Sequence, residues 1–198
     1  MDSEKIISEL SFLKQRKSVD GISAFDCSPA QLLHALEVLR DNYEYQSLND
    51  IASLDMGETA EQRFGAVYHL YSHTKKKYVR IVSMCEDSSK PVLPSVCSVY
   101  AGADWHEREA FDMMGIVFEN HPALRRIMMW NDYPYHPLRK DFPLAGKDAP
   151  LPETFDSEDA SLKVCAAPEE GGPFHSPSQS SEFASQHEPR SVESFENQ

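Results

Sequence analysis

Ile6, Ile7, Leu10 and Leu13 recur at helical spacing, which predicts a short amphipathic helix over residues 4 to 16. A strand is expected at Ile22 to Cys27. After it, Ser28 can cap a helix, Pro29 suits the first helical position and Gln31 stands where a capping box needs it. Leu32, Leu33, Leu36 and Leu39 then supply one apolar face. Residues 64 to 71 and 78 to 85 are rich in Val, Ile, Tyr and Phe, and the polar run Ser72 to Lys77 between them reads as the loop of an antiparallel hairpin. A further strand is expected around Tyr45 to Leu54. Pro91 and Pro94 close this region, and Ser95 can cap a helix running to about Met114, stopped by Gly115.

These elements imply an α+β fold: a mostly antiparallel sheet with helices packed on one face. Beyond Pro122 the period is lost, and Pro134, Pro137 and Pro143 punctuate a run of aromatic and charged residues. Prolines at that density block helix and central strand, so an extended segment is expected. From Ala145 the chain is poor in branched aliphatics and rich in Ser, Glu and Pro, which leaves too little apolar surface to offset the entropy of ordering. The expected organisation is an α+β domain over 1–118, an extended partner-docking segment over 119–144, and an acidic tail over 145–198 that is flexible until a partner orders it.

Composition narrows the function. At 198 residues there is room for one ordinary domain and an appendage. The net charge of -13 argues against nucleic-acid binding, which needs a basic face. Cys27, Cys85, Cys97 and Cys165 are scattered without a CxxC pair, so neither a disulfide framework nor a cysteine-bound cluster is signalled. No run of 18 apolar residues occurs, and the start lacks the basic and then apolar order of a signal peptide. The cell interior is the expected compartment.

The stretch from His106 to Pro143 carries most of the information, because charges, aromatics and prolines interleave there without a solvated face. On the predicted helix Ala103, Glu107, Ala110 and Met114 share one side, so Glu107 points at the core or at a partner. Arg125 or Arg126 could pair with it, and a solvated helix end with a snorkelling Glu is the alternative. His106, His121 and His136 lack HxH or HExxH spacing and no cysteine cluster joins them, so no metal site is expected. Acid/base chemistry by Glu107, Glu109 and Asp112 would need a cleft that nothing in the sequence supplies. There is no GxGxxG and no P-loop, so NADH and ATP are not expected to bind this chain. Arg125-Arg126 and Arg139-Lys140 are expected to pair partly within the chain, with acids such as Asp132 and Asp141, and partly across an interface. Phe111, Met113, Met114, Met128, Met129 and Trp130 are core residues or interface anchors.

Two ordered blocks here resemble a known family. Glu107-Arg108-Glu109, Asp112 before two hydrophobic residues, Gly115, His121-Pro122, Arg125-Arg126, Ile127 and Met128 resemble the signature of the 30 kDa subunit of NADH:quinone oxidoreductase. Pro137-Leu138-Arg139-Lys140-Asp141-Phe142-Pro143 looks like the PLRKDFP element that follows it in that family. The resemblance covers roughly residues 25 to 143, with one departure: Tyr135 precedes His136 where a Gly is common. It implies a cofactor-free structural subunit of the peripheral arm of respiratory complex I, docked on the D (49 kDa) subunit near the quinone site and set among the other peripheral-arm subunits. The named residues would be its interface or signature positions, with no catalytic, cofactor or metal residue on this chain. Flavin, iron-sulfur clusters and the quinone site would lie on other subunits. The chain would sit at the cytoplasmic face of the cell membrane, peripherally and through the complex. The alternative is the equivalent subunit of a membrane-bound hydrogenase-type or related ion-pumping complex.

Overall fold

A computed structural model of the chain describes residues 2–147 and 149. The rest of the expected acidic tail, 148 and 150–198, lies outside the described residues. Ten elements follow in order: α1 (Asp2–Glu9), β1 (Lys14–Arg16), β2 (Ser23–Asp26), α2 (Pro29–Asp41), β3 (Ser47–Asp55), β4 (Phe64–Ser72), β5 (Lys77–Met84), β6 (Val92–Pro94), α3 (Ala103–Met114) and β7 (Val117–Glu119).

The hairpin legible in the sequence is the centre of the fold. On β4, Phe64, Ala66, Tyr68 and Leu70 are fully buried while Val67, His69 and Tyr71 between them are not, the period of two that a half-covered sheet requires. Pairing with β5 puts Leu70 opposite Val79 and Tyr68 opposite Ile81, which keeps one apolar face in register. The strand order is β1-β2-β5-β4-β3. Only the β2–β5 pair in this sheet is parallel, because α2, β3 and β4 intervene between those strands in the chain. The buried residues of α1, α2 and α3 share one apolar cluster with Phe25, Tyr68 and Ile81. Helices therefore cover one face of a mostly antiparallel sheet, as the pattern predicted.

Three expectations are corrected. Ile6, Leu10 and Leu13 are buried as their spacing suggests, but the helix ends at Glu9, and Lys14–Arg16 is a strand paired with β2. A turn from Leu10 to Leu13 keeps the apolar side inward, while the exposed polar residues that follow suit a sheet edge. The capping box before α2 does not form: Pro29 occupies the first turn, but the Ser28 hydroxyl donates to Gln31 Oε1 instead of accepting a helix amide. Finally, α3 starts at Ala103 and not near Ser95. Residues 95–102 form turns, because tertiary partners claim their amides: Glu119 O takes the Ser95 N–H and the Glu107 carboxylate takes that of Val96. Gly115, at φ +74°, does end the helix in the left-handed region.

The described residues separate into two compact units. One comprises Met1–Asn131 and Tyr135–Asp141, and it holds the sheet and the three helices. Asp132–Pro134 group with the described residues from Phe142 on.

Candidate functional site

Helix α3 presents two stripes. Ala103, Glu107, Ala110 and Met114 face the core, and Glu107 has no solvent exposure. Asp104, Arg108 and Asp112 recur at steps of four on a second side. The segment after β7 is laid along this polar stripe. His121 Nε2 lies 3.3 Å from Asp104 Oδ1, and the Arg108 guanidinium donates to the carbonyls of Arg125 and Arg126. Asp112 takes the end of the segment: Oδ1 accepts from Arg126, while Oδ2 accepts the backbone N–H groups of Ile127, Met128 and Met129 at 3.0, 2.7 and 2.9 Å. Burial raises the pKa of such a carboxyl, but these amides and the Arg126 guanidinium outweigh it and hold Asp112 below the usual carboxylate range.

The second block closes on the carboxyl end of the same helix. There the last carbonyls lack intrahelical partners. His136 Nδ1–H donates to Asp112 O at 2.9 Å, the Leu138 N–H to Met113 O at 3.1 Å and Arg139 Nε–H to Met114 O at 2.7 Å. Gly115 permits this approach, since a Cβ there would stand 2.6 Å from His136 Nε2 and closer still to Arg139. The next residues reach the sheet. Asp55 at the end of β3 accepts from the Lys140 N–H and, with both oxygens, from Arg63, which also binds Asp141. The Arg63 guanidinium, helped by the Lys140 and Gly57 amides, outweighs burial, which acts the other way, and keeps Asp55 well below the usual carboxylate range. Arg63 and Arg139 both lie over the Phe64 ring, at 4.6 and 4.8 Å.

Glu107 resolves the alternatives left open by its spacing. It is a core residue, and its partners are the Val96 N–H at 2.6 Å, the Ser95 side chain, the Cys97 thiol and His121, neither Arg125 nor Arg126. Desolvation raises its pKa above the usual value. Sequence reasoning found no cysteine beside the histidines, but folding brings Cys97, Glu107 and His121 together with donor atoms within 4.8 Å of one another.

Of the remaining signature residues, Glu109, Pro122, Arg125 and Lys140 are exposed and Pro137 is half-buried. Pro143 belongs to the second unit, where its carbonyl accepts the Gly146 N–H. Asp141, expected to balance the basic pairs Arg125-Arg126 and Arg139-Lys140, forms its ion pair with Arg63 instead, an arginine the sequence did not single out. The two blocks held along α3 and over its carboxyl end form a clasp, and large apolar side chains stand in solvent beside it: Trp105 at 64%, Met128 at 68% and Leu138 at 55% exposure. The Arg108 guanidinium lies 4.9 Å from the Trp105 ring and fixes its face. Sequence reasoning missed Asp104, Asp55, Arg63 and Cys97. The 104/108/112 spacing was a usable signal for the first, whereas the other three come from distant segments.

The family described as respiratory-chain NADH dehydrogenase, 30 Kd subunit, matches residues 25–148. An NADH-quinone oxidoreductase C subunit from Phenylobacterium zucineum is 46% identical over 116 residues, 59% of this chain; the chain spans 54% of that relative, about half its length. An NADH-quinone oxidoreductase C/D subunit from Sulfurihydrogenibium is 38% identical over 67% of this chain and 23% of the relative. In fold, the chain is similar to the trypsin-resistant fragment of Nqo5, with a TM-score of 0.55 and 24% identity over 63% of this chain and all of the fragment.

Proposed function

The chain belongs to the respiratory-chain NADH dehydrogenase 30 kDa subunit family, and from that membership we propose that it is a cofactor-free peripheral-arm subunit of a proton-translocating NADH:quinone oxidoreductase. It works by docking on the D (49 kDa) subunit near the quinone site, and so supports electron transfer from NADH to quinone. Flavin, iron-sulfur clusters and the quinone site belong to other subunits.

The observation that carries this reading is the construction of the clasp. Both signature blocks are spent on one task, fixing an irregular segment along α3, and exposed Trp105, Met128 and Leu138 border it. Rigid aromatic and aliphatic side chains held in solvent are the usual anchors of a protein interface. Catalysis on this chain is disfavoured, because Glu107 and Asp112 are buried away from solvent and held by partners within the chain, whereas an acid or base must reach a substrate. The C/D relative is matched by this chain over only 23% of its length, as a polypeptide joining both subunits would be, which supports D as the neighbour. Among the described residues no helix is long and apolar enough to cross a membrane, so membrane association at the cytoplasmic face is assigned to the complex.

Affinity purification of the tagged chain from solubilised membranes tests this. Recovery of the D subunit with flavin and iron-sulfur subunits is expected. Recovery with a nickel-ligating large subunit would move the chain to a hydrogenase-type complex, and recovery alone would overturn docking altogether.

A further inference from the structure

Cys97, Glu107 and His121 come from three separate stretches: the turns before α3, the helix itself and the turn after β7. Asp104, one helical turn before Glu107, borders this group, with Oδ1 3.3 Å from His121 Nε2. We propose that Cys97, Glu107 and His121 form a three-ligand binding site for one divalent cation of the zinc type, with the fourth position open to solvent beside Asp104, independent of which complex the chain joins.

The separations carry the argument. Bonds of about 2.0–2.3 Å to a tetrahedral zinc place neighbouring ligand atoms about 3.3–3.7 Å apart. Cys97 Sγ lies 3.5 Å from Glu107 Oε2, and His121 Nε2 lies 3.9 Å from that oxygen. All three donor atoms lie within 4.8 Å of one another, so side-chain adjustments of about 1 Å bring them to that spacing. Its donors are sulfur, nitrogen and oxygen, a set that suits zinc and excludes magnesium and calcium, which take oxygen ligands. Glu107 and His121 have no side-chain exposure, while Asp104 is 31% exposed and gives the cation a way in. Glu107 Oε1 stays on the Val96 N–H, an outer bond that holds the carboxylate in place.

Proton accounting is closed by the protein and solvent. His121 now donates from Nε2 to the Asp104 carbonyl and accepts the Ala123 N–H at Nδ1. On binding, the imidazole keeps one proton, moved to Nδ1. The Ala123 amide turns to water, as its exposed turn allows. The Cys97 thiol releases its proton to solvent as the sulfur–metal bond forms. Arg108 Nη1, 3.9 Å from Asp104 Oδ2, holds Asp104 at the rim of the site. The cation would tie residues 95–102 and 120–123 to α3, a structural role that needs no redox chemistry.

Cobalt(II), titrated into the chelator-treated full-length chain, is the probe. One equivalent should produce a near-ultraviolet thiolate-to-cobalt charge-transfer band, zinc should displace it, and zinc should raise the thermal midpoint of the wild type. Cys97→Ser should lose the band and weaken cobalt binding at least about tenfold. Absence of the band in folded wild type at excess cobalt overturns the proposal and leaves a hydrogen-bonded cluster only. Persistence of the band in Cys97→Ser overturns it too, since another cysteine would then be the ligand. Should Cys97→Ser not fold, Glu107→Gln decides: that near-isosteric variant should keep the thiolate band but bind cobalt at least about tenfold more weakly, and equal affinity overturns the proposal.

Discussion

Asp112, without solvent exposure, pairs with Arg126, 14 residues further along the chain, and the same carboxylate also holds three successive backbone amides. Removing one partner of such a pair leaves a buried charge uncompensated. Arg126→Ala is therefore expected to destabilise the isolated chain by about 3 kcal/mol, the lower end of the usual range because the amides remain. Urea unfolding checks this, and an unchanged midpoint would mean that Arg126 acts mainly across an interface.

The same carboxylate sets an acid response. Its folded pKa is depressed below the unfolded value of about 3.9, so the folded state holds it ionised where the unfolded chain would take up a proton. That stability is present above about pH 4 and is lost as pH falls through the lower folded value. Asp112→Asn should lower stability at neutral pH and flatten the acid limb. Unfolding curves taken down the acid range measure the slope, and an unaltered slope would exclude Asp112 as its source.

Gly115→Ala combines two costs. The left-handed backbone disfavours a side chain, and the new Cβ meets His136 and Arg139. A loss of about 1–3 kcal/mol is expected, together with faster hydrogen exchange at the Leu138 amide as the clasp lifts. Stability loss with undisturbed exchange at Leu138 would separate the turn from the clasp.

Trp105→Ala should do the opposite. With 64% of Trp105 in solvent, isolated-chain stability is expected to change by no more than about 0.5 kcal/mol. Recovery of partner subunits in the purification should fall, as truncating an anchor at an interface commonly costs about 2 kcal/mol or more of binding. Full recovery would move the docking face away from the amino end of α3.

The sequence by itself determined the hairpin of β4 and β5, the apolar face of α2, the stop at Gly115 and the two signature blocks. All of these are set by periods of two or 3.6 and by residues whose backbone or capping preferences are local. It could not determine why the blocks belong together. That was decided when α3 turned its 104/108/112 stripe toward one segment and its last carbonyls toward the other, so that Asp112 meets Met128 and Arg139 meets Met114. Likewise Glu107 on α3 meets Ser95, Val96 and Cys97 from one segment and His121 from another, a grouping of three stretches of chain with its own helix counted. A buried polar group is satisfied by whatever donor the packing brings near, and that choice is made across the fold, where spacing along the chain carries no record of it.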